Sequence, residues 1–368
     1  MASTVQAPDM RPALVNTRNT AKPKKNPLSD GQGTLASLLV SPTMLIILLV
    51  VGIPIILSLR ESVFRRNAGI DPNTGMVAQG ESFVGMQNFT DIFANPQLVP
   101  AAWGNLDRLL NAFVNTTFFT IVCVALETII GVAMAIIMSK AFKGRGLVRA
   151  AILVPWAIPT LVSAKMWGLI FDANGVMNRL TGQQTLWLAD NASSQWAIVV
   201  ADVWKTAPFI GLLTLAGLQT IPGEVYEAAK VDGANAWQQF TRITLPMVKP
   251  ALVVAVLFRT LDTMRMFDLP FGMIGPGKYY VETLSMFAYF ENDAGRFGQA
   301  AAYSMVLFVY IVLVAFLFVR LLGADVVGDE ETRAITAKRK AQKKLTREQG
   351  TKPSSLAGST ITSGGSAS

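Results

Sequence analysis

Ile221-Pro-Gly-Glu-Val-Tyr-Glu-Ala-Ala-Lys-Val-Asp-Gly-Ala-Asn-Ala-Trp-Gln-Gln-Phe-Thr-Arg-Ile-Thr-Leu-Pro246 is a polar interlude between two long apolar runs, and its residue order dictates a compact structure of its own. Pro222 and Gly223 stop the preceding helix. Glu224 and Glu227 fall in the first turns of a new short helix, where carboxylates complement the positive end of the peptide dipole. Gly233 can take the left-handed conformation that ends such a helix. Asn235 followed by Gln238 has the spacing of a capping box and starts a second short helix. Leu245-Pro246 opens the return into the next apolar run. The segment reads as a structured elbow.

The flanking runs are two of six. A helix needs about 20 predominantly apolar residues to cross the hydrocarbon core of a bilayer. Candidate spans are 38–57, 112–138, 148–171 with Lys165 inside it, 196–218 with Asp202 and Lys205, 250–274 with Arg259, Asp262, Arg265 and Asp268, and the uncharged 300–319. The first is longer than a signal-peptide core and lacks a small-residue cleavage site, so it is expected to be retained. Of the 368 residues, 51% are hydrophobic and 15% charged, against about 25% charged in soluble domains. The predicted fold class is all-α: a polytopic membrane protein with about six transmembrane helices.

The net charge of +8 would point to nucleic acid in a soluble protein. In a membrane chain its distribution matters instead, and no nucleic-acid partner is expected. With the N-terminus placed in the cytoplasm, twenty Lys and Arg fall in the inner connections and six in the outer ones. That bias predicts both termini cytoplasmic. Residues 1–37 read as a disordered N-terminal segment, 38–322 as the transmembrane domain with its cytoplasmic loop at 221–249, and 323–368 as a disordered basic tail. Lys338, Arg339, Lys340, Lys343 and Lys344 read as a solvated topology signal that can also meet anionic membrane lipid.

Cys123 is the one cysteine, and there is no histidine. The commonest general base, the Ser-His triad and His-based metal sites are therefore absent. No Gly-x-x-x-x-Gly-Lys-Ser/Thr sequence occurs, so there is no phosphate loop. Neither catalytic residues nor a metal or cofactor are expected in this chain, which does not read as an enzyme. If ATP drives it, another subunit must hydrolyse it.

Glu227-Ala228-Ala229, with Gly233 and then Ile243-x-Leu245-Pro246 at fixed spacing, resembles the "EAA" loop of bacterial ABC-importer permeases. Tyr226-Glu-Ala-Ala-Lys-Val-Asp-Gly-Ala is similar to the carbohydrate branch, which includes maltose- and glycerol-phosphate-type importers. Pro155-Trp156-x-Ile158-Pro159, Trp204-x-x-x-Pro208-Phe209, Phe267-Asp268 and Gly298-x-Ala300-Ala301-Ala302 also look like that family, so the resemblance covers roughly 38–322. Trp204-Lys-Thr-Ala-Pro208 and Leu257-Phe-Arg-Thr-Leu-Asp262 look most like the first permease of actinobacterial trehalose or maltose importers.

The resemblance implies the type I importer permease fold in a bacterial inner or plasma membrane. It implies a second homologous permease, two ATP-binding ATPase subunits and an extracytoplasmic sugar-binding protein or lipoprotein as partners. It also implies ATP-driven alternating access for a sugar such as the disaccharides trehalose or maltose. In the family the EAA loop docks into the ATPase, so Glu227, Ala228, Ala229, Asp232, Gly233, Leu245 and Pro246 become candidate coupling residues. Small side chains at 228 and 229 let a partner helix approach closely.

An ionised residue at mid-bilayer costs about 2.5–3.5 kcal/mol on insertion scales. Asp202, Lys205, Arg259, Asp262, Arg265 and Asp268 must therefore face protein or a water-filled cavity. Asp202, Lys205 and Phe209 share one helix face, as do Arg259, Asp262, Thr263 and Met266. Arg265 lies three residues from both Asp262 and Asp268, a spacing that allows local ion pairs. Carboxylates and cations can make charge-assisted hydrogen bonds to sugar hydroxyls, and aromatic faces can stack on the ring. Laid against the larger permease of the maltose importer, the sugar-lining positions fall on Asp202, Lys205, Thr206, Phe209, Arg259, Asp262, Thr263 and Met266, with Trp204 matching a tryptophan. Most residue types differ, so location transfers and contacts do not.

The same charges also fit structural ion pairing or proton coupling. An ion-gradient-driven secondary sugar transporter using Asp202 or Asp262 is the alternative function. It predicts internal symmetry, and none is visible in the sequence.

Overall fold

In the computed structural model, residues 27–66, 75, 80–94, 96–101, 104–189 and 191–322 are described. The basic tail at 323–368 and residues 1–26 lie outside them. Met1–Leu57 and Ser58–Ser368 form two compact units. The first contributes helix α1 (Pro27–Ile47), which runs through one wide turn at Leu48–Gly52 into α2 (Ile53–Ser62). Leu35–Ser62 is long and apolar enough to span, with a mean hydropathy of 2.6. The helix begins inside the segment expected to be disordered, because Pro27 at its first position has its φ preset for a helix.

The remaining long helices are α4 (Arg108–Ser139), α8 (Ala192–Leu218), α11 (Leu245–Thr263) and α14 (Phe297–Leu322). With Leu35–Ser62 they make five candidate spans, and a bent pair brings the number to six. The bent pair is the expected third span. It is broken: α5 (Arg145–Ala157) and α6 (Thr160–Ile170) meet at 94°. The cause is Pro159, which pushes Ile158 out of the helical region into extended backbone at ψ 134°.

The fifth span also ends sooner than the expected 250–274. Helix α11 stops at Thr263, and a separate short helix α12 (Asp268–Met273) follows. Pro270 would clash with the carbonyl of Met266 in a continuous helix. Arg265 consequently lies 3.7 Å from Asp262, and among the described residues no ion pair joins it to Asp268.

The described residues between Ser62 and Arg108 form local structure of their own. They hold two short antiparallel pairs, β1 (Phe64–Arg66) with β2 (Glu81–Phe83) and β3 (Leu98–Ala101) with β4 (Gly104–Asp107), around helix α3 (Gln87–Ala94). Asp107 closes this segment by accepting from the Leu109 and Leu110 amides at the start of α4. Two further short helices, α7 (Val176–Thr181) and α13 (Leu284–Asp293), lie in the other connections on this side. Arg108 grips Glu282 through Nε (2.9 Å) and Nη2 (2.5 Å). The Asn111 and Asn115 amides donate to the Tyr279 carbonyl at 2.7 and 2.8 Å. These bonds pin the 275–283 segment to α4.

The core lies where α4, α6, α8 and α12 meet, around Phe119, Cys123, Ala164, Phe171, Ile198, Ala201 and Leu269. Helices α4 and α8 touch closely at Gly131, where an added Cβ would lie 2.9 Å from the Ala207 carbonyl and from Ile210 Cβ. In an exposed helix Gly→Ala usually stabilises by about 1 kcal/mol. At Gly131 the sign should reverse, with overpacking costing about 1–3 kcal/mol. Thermal melts in detergent should show Gly131→Ala below wild type and Gly146→Ala, whose Cβ would meet nothing within 4 Å, at or above it.

The elbow takes the form that its sequence predicts. Helix α9 (Gly223–Val231) starts after Pro222 and carries Glu224 in its first turn. Gly233 has φ +77°. The Gly233 amide reaches the Lys230 carbonyl (3.1 Å) and the Ala234 amide the Ala229 carbonyl (2.9 Å), the paired closure that a left-handed residue permits. Asn235 and Gln238 exchange both bonds of a capping box at the head of α10 (Ala236–Gln239). The Tyr226 hydroxyl, 3.0 Å from Thr244 Oγ1, ties α9 to the base of α11. Glu227, Ala228, Asp232 and Gly233 face outward, as do Val231 and Trp237 with 88% and 70% of their surface exposed.

Candidate functional site

Three spans deliver charged groups to one place. Glu127, the only acid in α4, is wholly buried. It accepts from Arg259 Nε (2.7 Å) and Nη2 (2.9 Å) on α11, a bidentate grip. Asp202 on α8 accepts from the same Nη2 at 3.0 Å, and the Thr206 hydroxyl is 2.6 Å from Glu127 Oε1. Arg259 Nη1 reaches outward to Asp262 at 2.5 Å. Among the buried groups, Glu127 and Asp202 balance Arg259 and Lys205, so no net charge is left in the apolar interior. The balance answers the insertion cost.

Lys205 solves a second problem. The break at Pro159 leaves the Ile158 carbonyl outside a regular helix, and the Lys205 ammonium donates to it at 2.7 Å. Replacing Lys205 by methionine should orphan that carbonyl at a cost of about 1–3 kcal/mol. The expected result is a lower detergent melting temperature together with slower uptake. An unchanged melt would show that the clasp does not hold the bend.

Beside these groups lies a cavity of about 220 Å³. Asp202, Lys205, Thr206, Arg259, Asp262, Thr263 and Met266 line it, joined by Trp156, Thr160, Arg265, Phe267, Asp268 and Leu269. Met266 arrives from beyond the end of α11 and not along its face. The structure places the two other expected path residues off the wall. Trp204, about 200° around α8 from Asp202, packs edge-on against Trp167 with centroids 5.6 Å apart. Phe209 stacks behind Trp156 at 6.1 Å, so it supports a lining ring. A wider groove of about 640 Å³, walled by residues such as Ile121, Val124, Ile129, Val256 and Val314, is almost wholly apolar.

Glu127, Trp156 and Thr160 are not evident as site residues in the sequence. Glu127 carried a usable signal, since a lone acid in a 32-residue apolar helix demands a buried partner. Trp156 and Thr160 had none, because only the bend brings them over the cavity.

Residues 127–327 match the family of binding-protein-dependent transport system inner membrane components. The chain belongs to that family. This permease is 35% identical to the trehalose/maltose transport system permease protein MalF of Thermococcus litoralis over 76% of its own length and 91% of that protein's. It is also 35% identical to the trehalose transport system permease protein SugA of Mycobacterium tuberculosis, over 80% of this chain and 91% of SugA. A chain from the crystal structure of a bacterial alginate ABC transporter, solved in complex with an alginate pentasaccharide-bound periplasmic protein, superposes with a TM-score of 0.65 at 18% identity. The match covers 82% of this permease and 98% of that chain. The likeness establishes the type I importer fold.

Proposed function

We propose that this permease is one of two membrane subunits of an ATP-driven importer for an α-glucosidic disaccharide, trehalose or maltose, and that the charged cavity is its half of the sugar path. One observation carries the reading: acceptors and donors that would be ruinous against lipid converge on a cavity at the junction of three spans, beside the aromatic face of Trp156. Ligand sites for small molecules run from about 300 to 1,000 Å³. A cavity of about 220 Å³ suits part of a disaccharide, and a second, homologous permease would supply the rest.

The 221–249 elbow lies on the cytoplasmic side in this reading, with both termini. It takes force from an ATPase subunit through Glu227, Ala228, Ala229, Asp232 and Gly233, with the exposed Val231 and Trp237 adding apolar contact. Leu245 and Pro246, at the base of α11, carry the movement into the span that bears Arg259. ATP and magnesium stay on the two ATPases, and an extracytoplasmic binding protein delivers the sugar. The sugar-transporting relatives support the substrate class, and an ion gradient as the driving force has no comparable support.

The test is to purify the chain from its native membrane and identify by mass what accompanies it. Trehalose and maltose are then assayed for stimulation of ATP hydrolysis. A copurifying ATPase pair stimulated by either sugar is expected. Uptake by the chain alone in liposomes, without nucleotide hydrolysis, would end the proposal.

A further inference from the structure

We infer that Glu127 is a positioning residue of the sugar path: it never meets the sugar, but it sets the carboxylate of Asp262 through Arg259. The inference rests on the proposed function of the cavity. A guanidinium has five N–H donors in a rigid plane. Glu127 takes Nε and one Nη2 proton, and Asp202 takes the other Nη2 proton. That leaves only Nη1 free to turn toward the cavity, where it holds Asp262 Oδ2 at 2.5 Å.

Asp262 is the acid of this cluster that stands open, with 62% of its side chain exposed. Its other oxygen lies 3.7 Å from Arg265 Nη2, beyond hydrogen-bond range. Asp262 therefore offers spare lone pairs to a hydroxyl donor while its rotamer is fixed from behind. Buried Arg259, with four of its five donors engaged, is left as the clamp. Glu127 itself is fully buried and absent from the cavity wall, and it belongs to a different helix from the group it orients. The Thr206 hydroxyl at 2.6 Å steadies it. Removing this grip would let the Arg259 fork rotate and Asp262 swing into solvent.

The experiment uses the assembled importer in proteoliposomes, with its ATPases, second permease and binding protein. It measures radiolabelled sugar imported per ATP hydrolysed, with trehalose and with maltose. Glu127→Asp keeps the charge, and so the burial balance, but withdraws the carboxylate by one methylene. Glu127→Gln keeps the shape and removes the charge. Both should lower the ratio about tenfold, the worth of one charge-assisted hydrogen bond, while binding-protein-stimulated ATP hydrolysis persists. Asp262→Asn should lower it comparably, and Glu127→Asp combined with Asp262→Asn should be no worse than Asp262→Asn alone.

A purely structural Glu127 would reduce protein yield and both rates together and leave the ratio unchanged. That result, or additive losses in the double variant, overturns the positioning role and leaves the sugar path standing. A wild-type ratio in Asp262→Asn, or import of neither trehalose nor maltose by the wild type, overturns the sugar-path reading and this inference with it. Should Glu127→Gln fail to assemble, Glu127→Asp decides alone.

Discussion

Replacing Arg259 by methionine should be the most damaging single change in the membrane domain. Among the described residues Arg259 is the one cation bonded to both Glu127 and Asp202, whose residues are 0% and 6% exposed. Methionine fills similar volume but leaves two carboxylates together in a low-dielectric interior. Breaking a buried ion pair from one side costs about 3–5 kcal/mol, a large part of the 5–15 kcal/mol that keeps a typical domain folded. The expected result is a sharp fall in monodisperse protein extracted in mild detergent, with no uptake. The triple variant Glu127→Gln, Asp202→Asn, Arg259→Met should recover part of the yield but not transport, since it removes both stranded carboxylates and leaves, of the buried charges, only that of Lys205, which donates to the Ile158 carbonyl. Wild-type yield and melting temperature for Arg259→Met alone would show that the triad is not what holds α4, α8 and α11 in register.

The second large effect is expected at Gly233. An added Cβ there would meet nothing within 4 Å, while φ is +77°, so the whole penalty lies in the backbone. Left-handed geometry costs an L-residue about 1–2 kcal/mol, more for a β-branched one. In Gly233→Val the two closing bonds from Gly233 and Ala234 should be lost and α9 should run on past Asp232. Uptake should vanish and the ATPase subunits should fail to copurify, while the membrane domain melts as wild type. Gly233→Asn should keep most activity, because asparagine visits this region readily. Normal ATPase association and uptake in the valine variant would remove the elbow from the coupling mechanism.

The two predictions separate what was readable in the residue order from what was not. Much of the elbow was legible: the helix that starts after Pro222, the left-handed Gly233 and the capping box of Asn235 with Gln238. Gly223, expected to help stop the preceding helix, is instead the first residue of α9, and the wide turn at Phe240–Thr244 was not legible. Each legible feature depends on residues within about six positions of one another, where local stereochemistry decides the outcome. Most of the cavity wall was legible too, since charges in apolar runs cannot face lipid and helical spacing puts them on a face. Trp204, expected on the wall by resemblance, and Phe209, expected there by resemblance and by its i, i+7 spacing from Asp202, pack instead against Trp167 and Trp156.

The sequence by itself determined the all-α membrane class, the approximate spans and the elbow, because hydropathy and capping are properties of single segments. Only the tertiary structure decided that Glu127 partners Arg259, that Lys205 clasps the carbonyl at the bend, and that a span broken by 94° swings Trp156 over the cavity. A buried charge announces that it needs a partner but not which one. The choice is made by how α4, α8 and α11 pack, through close contacts such as Gly131 on Ala207 that bring groups 132 residues apart to 2.7 Å.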